Sequence, residues 1–245
     1  MIERQVKIET ADGSMTTFEY HPEEGGPYPV ILYLMDAPSI RPALKDMASR
    51  LASAGYYVLM PFLYYRDSPY REFGSSDEDM HKRRELMQGV TRDRMIPDAE
   101  TLLEYAAQNE KADADSKIGA VGFCMSGPLV MGLAQRMPEK VAAIASVHGA
   151  WVVTDKEDSP HLDIDQIQAE VYFAWADDDP TATAEEREIM DAAMAEDYKK
   201  WPDDIRKNIG YFSASCKDGC DNYKEYIYNI DVSIVSLEDS SKVIE

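Results

Sequence analysis

The stretch Gly122-Phe123-Cys124-Met125-Ser126-Gly127 sets a thiol between two glycines at the end of a short apolar run, Lys117 to Val121. Downstream, Pro128 to Met137 has helical character and stops at Pro138. A strand that turns abruptly into a helix forces its apex residue into a strained conformation, and only very small neighbours leave room for the turn. Cys124 at such an apex would stand at the carboxyl edge of a sheet, above a helix N-terminus and close to backbone N–H groups, a setting expected to favour the thiolate. A lone cysteine after an apolar run also fits a buried core residue. The hexapeptide alone leaves both readings open.

In open α/β sheets a ligand sits beyond the carboxyl ends of the strands. The residues at those ends are Asp36, Ala37, Cys124, Met125, His148 and Asp179. Acyl transfer needs a nucleophile, donors for an oxyanion, a base and a group that orients the base. Cys124 is the candidate nucleophile, and the N–H groups of Met125 and Ala37 are the candidate oxyanion donors. His148 either lines the pocket or satisfies neighbouring backbone groups. Tyr64, in the run Tyr64-Tyr65-Arg66, belongs either to an aromatic-lined pocket or to an ordinary surface loop. Cys216 and Cys220 have no third cysteine or histidine beside them, which argues against a metal site. No cofactor or metal is expected.

The elements that must carry these residues are legible as alternating strands and helices. Asp12-Gly13 between Val6–Glu9 and Thr16–Tyr20 reads as an opening hairpin. Apolar runs at 28–35, 56–60, 117–121, 141–147 and 171–176 read as buried strands, with Asp36, Pro61, Cys124, His148 and the Asp177-Asp178-Asp179-Pro180 stretch at or just beyond their ends. Helical spacing covers Arg41–Ala54, Asp77–Gly89, Ile96–Gln108 and Thr183–Ala195, and Tyr64–Ser76 is a loop expected to lie over the same sheet edge. Strand, helix and strand in this order make right-handed crossovers. The expectation is a single α/β domain over 1–245, a doubly wound, mostly parallel sheet with helices on both faces.

Composition limits the partners. Over 245 residues, 46 acidic against 25 basic side chains give a formal net charge of -21, a field that repels phosphate backbones and anionic membranes. Nucleic acid is excluded as a partner on that ground. No apolar run reaches bilayer length and Met1-Ile2-Glu3-Arg4 lacks a signal-peptide pattern, so a cytoplasmic monomer or homodimer is expected. Three cysteines do not make a disulfide framework.

Over about residues 1–197 the chain resembles the dienelactone hydrolase family of the α/β-hydrolase superfamily. The likeness rests on the cysteine elbow at 122–127, on Met35-Asp36-Ala37-Pro38-Ser39-Ile40-Arg41-Pro42, on Ala54 to Tyr64, and on Ala176-Asp177-Asp178-Asp179. The resemblance implies an α/β-hydrolase-type fold and cleavage of a small-molecule ester or lactone. It implies Cys124 as nucleophile, Asp179 as the acid that orients the base, and Asp36 as the carboxylate that contacts the thiol. Arg83 and Arg84 fall where members place a clamp for a substrate carboxylate, which a bidentate guanidinium suits.

The pattern breaks at the base. The four histidines are His21, His81, His148 and His161, and none follows Asp179, where the family order of nucleophile, acid and histidine requires one. The tail from about Tyr198 does not align, although Ile230–Leu237 has strand composition. An impaired hydrolase is one expectation, and a non-catalytic hydrolase-fold binding or scaffold protein is the alternative. A cysteine-based redox role would need a resolving cysteine that the elbow's neighbourhood does not offer.

Overall fold

The structure is a computed structural model that describes residues 1–176 and 179–198. These residues fall within one compact unit. The strand expected over Ile230–Leu237, together with Cys216 and Cys220, lies outside the described residues.

The chain opens with β1 (Ile2–Thr10) and β2 (Gly13–His21), a full-length antiparallel hairpin turned at Ala11-Asp12, with Gly13 already paired to Thr10. β3 (Tyr28–Leu34), α1 (Pro42–Ser53) and β4 (Tyr57–Pro61) follow. Then come α2 (Asp77–Met87), α3 (Arg92–Ala106), the two-residue β5 (Ala112–Asp113) and β6 (Ile118–Phe123). A short 3₁₀ turn, Cys124–Ser126, leads into α4 (Gly127–Arg136). β7 (Val141–Val147), a 3₁₀ segment at Pro160–Gln166, β8 (Glu170–Ala174) and α5 (Ala184–Tyr198) complete the described part.

The strands form one sheet in the order β1-β2-β4-β3-β6-β7-β8, with β5 paired to the start of β3. β4, β3, β6, β7 and β8 run parallel, and β2 joins β4 antiparallel. The crossover through α1 moves one way along the sheet and those through α3 and α4 move the other way. Right-handed crossovers therefore put α1 on one face and α3 and α4, which pack together, on the opposite face. The reversal falls between β3 and β6. That is the topological switch point, outside which an α/β sheet opens a crevice.

Burial follows the composition. Val30–Leu34 and Tyr57–Pro61 are buried throughout, as strands covered on both faces must be. α4 buries Gly127 and every residue from Leu129 to Gln135, because it lies against β6 and β7 on one side and against α3 and the 3₁₀ segment on another. α3 begins four residues before the expected Ile96. Thr91 caps it by accepting from the Arg94 N–H at 3.3 Å, and Pro97 sits inside the first turns. No helix among the described residues is long and apolar enough to cross a membrane.

Candidate active site

Cys124 has φ 52°, the left-handed region that a non-glycine side chain adopts only at a cost. The tight turn around it needs its glycines. A Cβ on Gly122 would overlap the Ser126 carbonyl, and one on Gly127 would stand 2.7 Å from the Gly149 Cα. Ser126, fully buried, donates its hydroxyl to the Met35 carbonyl at 2.6 Å, which ties the turn to the end of β3. The cysteine is thus held at the apex between the end of β6 and the start of α4.

The flanking strand ends lie in register. Leu34 pairs with Gly122 and Phe123 pairs with Val147, so the residues that continue those strands bring Asp36, Cys124 and His148 side by side along the carboxyl edge. Asp36 is 1% exposed and bonded by the Arg41 guanidinium at 2.5 Å. Asp179, on the loop after β8, receives at Oδ1 the Thr181 N–H at 2.8 Å and the Thr181 hydroxyl at 2.6 Å. This Asx-type turn fixes the carboxylate.

The electrostatics reverse one expectation. Burial pushes the Cys124 thiol up to about 11, and the carboxylates of Asp36 and Asp179 push the same way. The N–H groups of Met125 and Ala37 hydrogen-bond toward the sulfur and oppose the rise without overcoming it. The thiol therefore keeps its proton at neutral pH, although the elbow was expected to favour the thiolate. Desolvation lowers the His148 imidazole below its ordinary value, against the raising influence of Asp36 and then Asp179, so it is neutral at pH 7. The same two N–H groups that were expected to form an oxyanion hole converge on the thiol.

Tyr64 has a different place from the one expected. It is 1% exposed, so it braces the pocket from behind instead of lining it. Its hydroxyl donates to the Ala37 carbonyl at 3.0 Å and lies 3.2 Å from the Met125 sulfur, linking the two residues whose N–H groups face Cys124. Arg83 is half-buried and acts on Tyr64 electrostatically, whereas Arg84 is exposed. Arg84 lines a cleft of about 880 Å³ that Met125 joins to the elbow. Trp151, missed in the sequence, also lines it: it is 46% exposed, has φ 58° and donates its N–H to the Thr181 carbonyl at 2.9 Å. Arg41 was also missed, although its place five residues after Asp36, just before Pro42, keeps it at the same strand end. Among the described residues no cluster of histidine, cysteine and carboxylate side chains could hold a metal ion.

Residues 15–201 of the chain match the family model for the dienelactone hydrolase family. The chain belongs to the dienelactone hydrolase family. Two curated relatives, both provisionally named carboxymethylenebutenolidase, come from Methylorubrum extorquens and Synechocystis. The first is 29% identical over 145 residues (59% of this chain, 48% of the relative) and the second 26% identical over 172 residues (69% of each). The chain thus spans about half the length of the Methylorubrum protein. A crystal structure from Klebsiella pneumoniae, provisionally named a dienelactone hydrolase, superposes with a TM-score of 0.73 at 20% identity, covering 94% of this chain and 90% of that one. At that identity the likeness speaks for the α/β-hydrolase fold, which is the fold described above.

Proposed function

We propose that this dienelactone hydrolase family member cleaves a small ester or lactone through a thioester on Cys124. The observation that carries the reading is the left-handed apex at Cys124 with the N–H groups of Met125 and Ala37 directed at its sulfur. A carbonyl oxygen placed in that space would take over both donors as it gains charge, which is what lowers the barrier to attack. Asp179, fixed by Thr181, is the acid, and Asp36 is the carboxylate beside the thiol. Arg84 and Trp151 at the cleft offer a cation and an aromatic face to a bound ester. The names of the relatives point to the same chemical class.

The alternative reading, a binding protein that keeps the pocket without the reaction, is separated by turnover. The purified protein is expected to hydrolyse p-nitrophenyl acetate, and Cys124→Ala is expected to reduce the rate by about 10³-fold or more, since a nucleophile removed from a triad-type site leaves only binding and oxyanion stabilisation. Equal rates for the two proteins would rule out Cys124 as the nucleophile.

A further inference from the structure

We infer that His148 is the general base for Cys124, so that the imidazole stands on the strand end next to the nucleophile instead of beyond the acid. The inference rests on the hydrolase reading above. Phe123 and Val147 are paired in the parallel ladder of β6 and β7, and the next residues on the two strands are Cys124 and His148. Neighbouring strands lie about 4.8 Å apart, so the two residues leave the sheet as neighbours. Both turn at that point into the left-handed region, Cys124 at φ 52° and His148 at φ 40°. A histidine held there costs on the order of 1 kcal/mol or more, strain of the kind that persists where surrounding structure fixes a functional group.

That surrounding structure is present on both sides. The His148 N–H donates to the Ala174 carbonyl at 2.7 Å, which anchors it to β8, and the Ala150 N–H donates to the carbonyl of Cys124 itself at 2.9 Å. Gly149, between them, packs against Gly127, where a Cβ would come 3.2 Å from the Gly127 Cα. The imidazole lies beside the Phe123 ring, 6.2 Å between centroids, and the charges that face it are Asp36, Asp179 and Arg41. Asp179 would orient and stabilise the imidazolium as the acid of a triad does. The order would then be nucleophile, base and acid; triads are defined by geometry and recur in several chain orders.

The other histidines are elsewhere. His21 ends β2 at the opposite edge and stacks on Tyr57, His81 is exposed on α2, and His161 bonds the Ser159 hydroxyl at 2.7 Å. No histidine occurs from 162 to 245. Asp36 is a weaker candidate for the base because its carboxylate already holds Arg41.

The step balances within the site. The Cys124 sulfur forms a bond to the ester carbonyl carbon as its proton passes to an imidazole nitrogen of His148. The carbon–oxygen bond to the leaving group then breaks, and His148 returns the proton to that oxygen. A water molecule, deprotonated by His148, attacks the thioester; the carbon–sulfur bond breaks and the sulfur regains a proton. The sum is ester plus water giving acid plus alcohol.

The test uses His148→Gly, since glycine accepts the left-handed backbone and leaves a space the size of imidazole. H148G is expected to lose about 10²- to 10⁴-fold in kcat/KM for p-nitrophenyl acetate, the usual contribution of a positioned base. Added imidazole is expected to restore a saturable part of the rate, measured against C124A/H148G protein to subtract the reaction of free imidazole. The wild-type kcat/KM should fall as pH drops through a value below 6.5, where His148 takes up a proton, and H148G should lack this limb. If H148G does not fold, His148→Asn, which tolerates the same φ, carries the same rate and pH comparison. A folded variant as active as wild type, or with the acid limb unchanged, overturns the role of His148 while leaving Cys124 as nucleophile. Undiminished turnover by C124A overturns both.

Discussion

At the scale of single residues, the surroundings of Cys124 work against its thiolate. Cys124 is desolvated and flanked by two carboxylates, and together these outweigh two backbone donors, so its proton stays on up to about pH 11. Only the thiolate is alkylated, and the thiolate fraction of such a group rises about tenfold per pH unit below its pKa. Alkylation of the Cys124 peptide by iodoacetamide, followed by mass spectrometry, is therefore expected to climb steadily from pH 8 toward pH 11. A rate that has already levelled off at pH 8 would contradict the balance of charges described here. None of this could be read from the hexapeptide, because the opposing charges come from Asp36, 88 positions earlier, and Asp179, 55 positions later. The positions of Cys124, Asp36, Ala37 and Met125 were legible, since each is marked by the end of an apolar run.

At the scale of elements, the elbow depends on how close α4 comes to the loop after β7. A Cβ on Gly127 would sit 2.6 Å from the Ser146 hydroxyl and 2.7 Å from the Gly149 Cα, and the second of these is backbone that cannot swing aside. Gly127→Ala is expected to cost about 1–3 kcal/mol as overpacking, lowering the urea midpoint, and to lower turnover with it by displacing the loop that carries His148. A G127A protein with wild-type midpoint and rate would show that this contact does not position the site. The strand and helix sequence was legible because its buried runs are long and apolar. β5 was not, since two residues carry no periodicity. The neighbourhood of Cys124 and His148 was not legible either: it comes from the register of β6 on β7, which depends on pairing between segments and leaves no local mark. For the same reason the sequence left Tyr64 between a pocket lining and a surface loop, although its hydroxyl reaches Met125 across 61 positions.

At the scale of the whole molecule, the sheet order places the site and the charge sets its company. The reversal between β3 and β6 opens the crevice beside Cys124, and the cleft next to it carries Arg84, Arg92 and Lys156 against Asp155, Asp158 and Glu186. These charges balance locally, while the chain as a whole carries a formal charge of -21, so nothing at long range draws an anion in. A neutral ester suits this field better than a polyanion. The reading turns on whether an acyl group passes through Cys124. Mixing the protein with p-nitrophenyl acetate, quenching in acid within the first turnovers and mapping peptides by mass spectrometry tests this directly. The predicted result is a single acetyl group on the peptide containing Cys124, absent from C124A; turnover with that peptide unmodified, or acetyl transfer to another residue that persists in C124A, would contradict it.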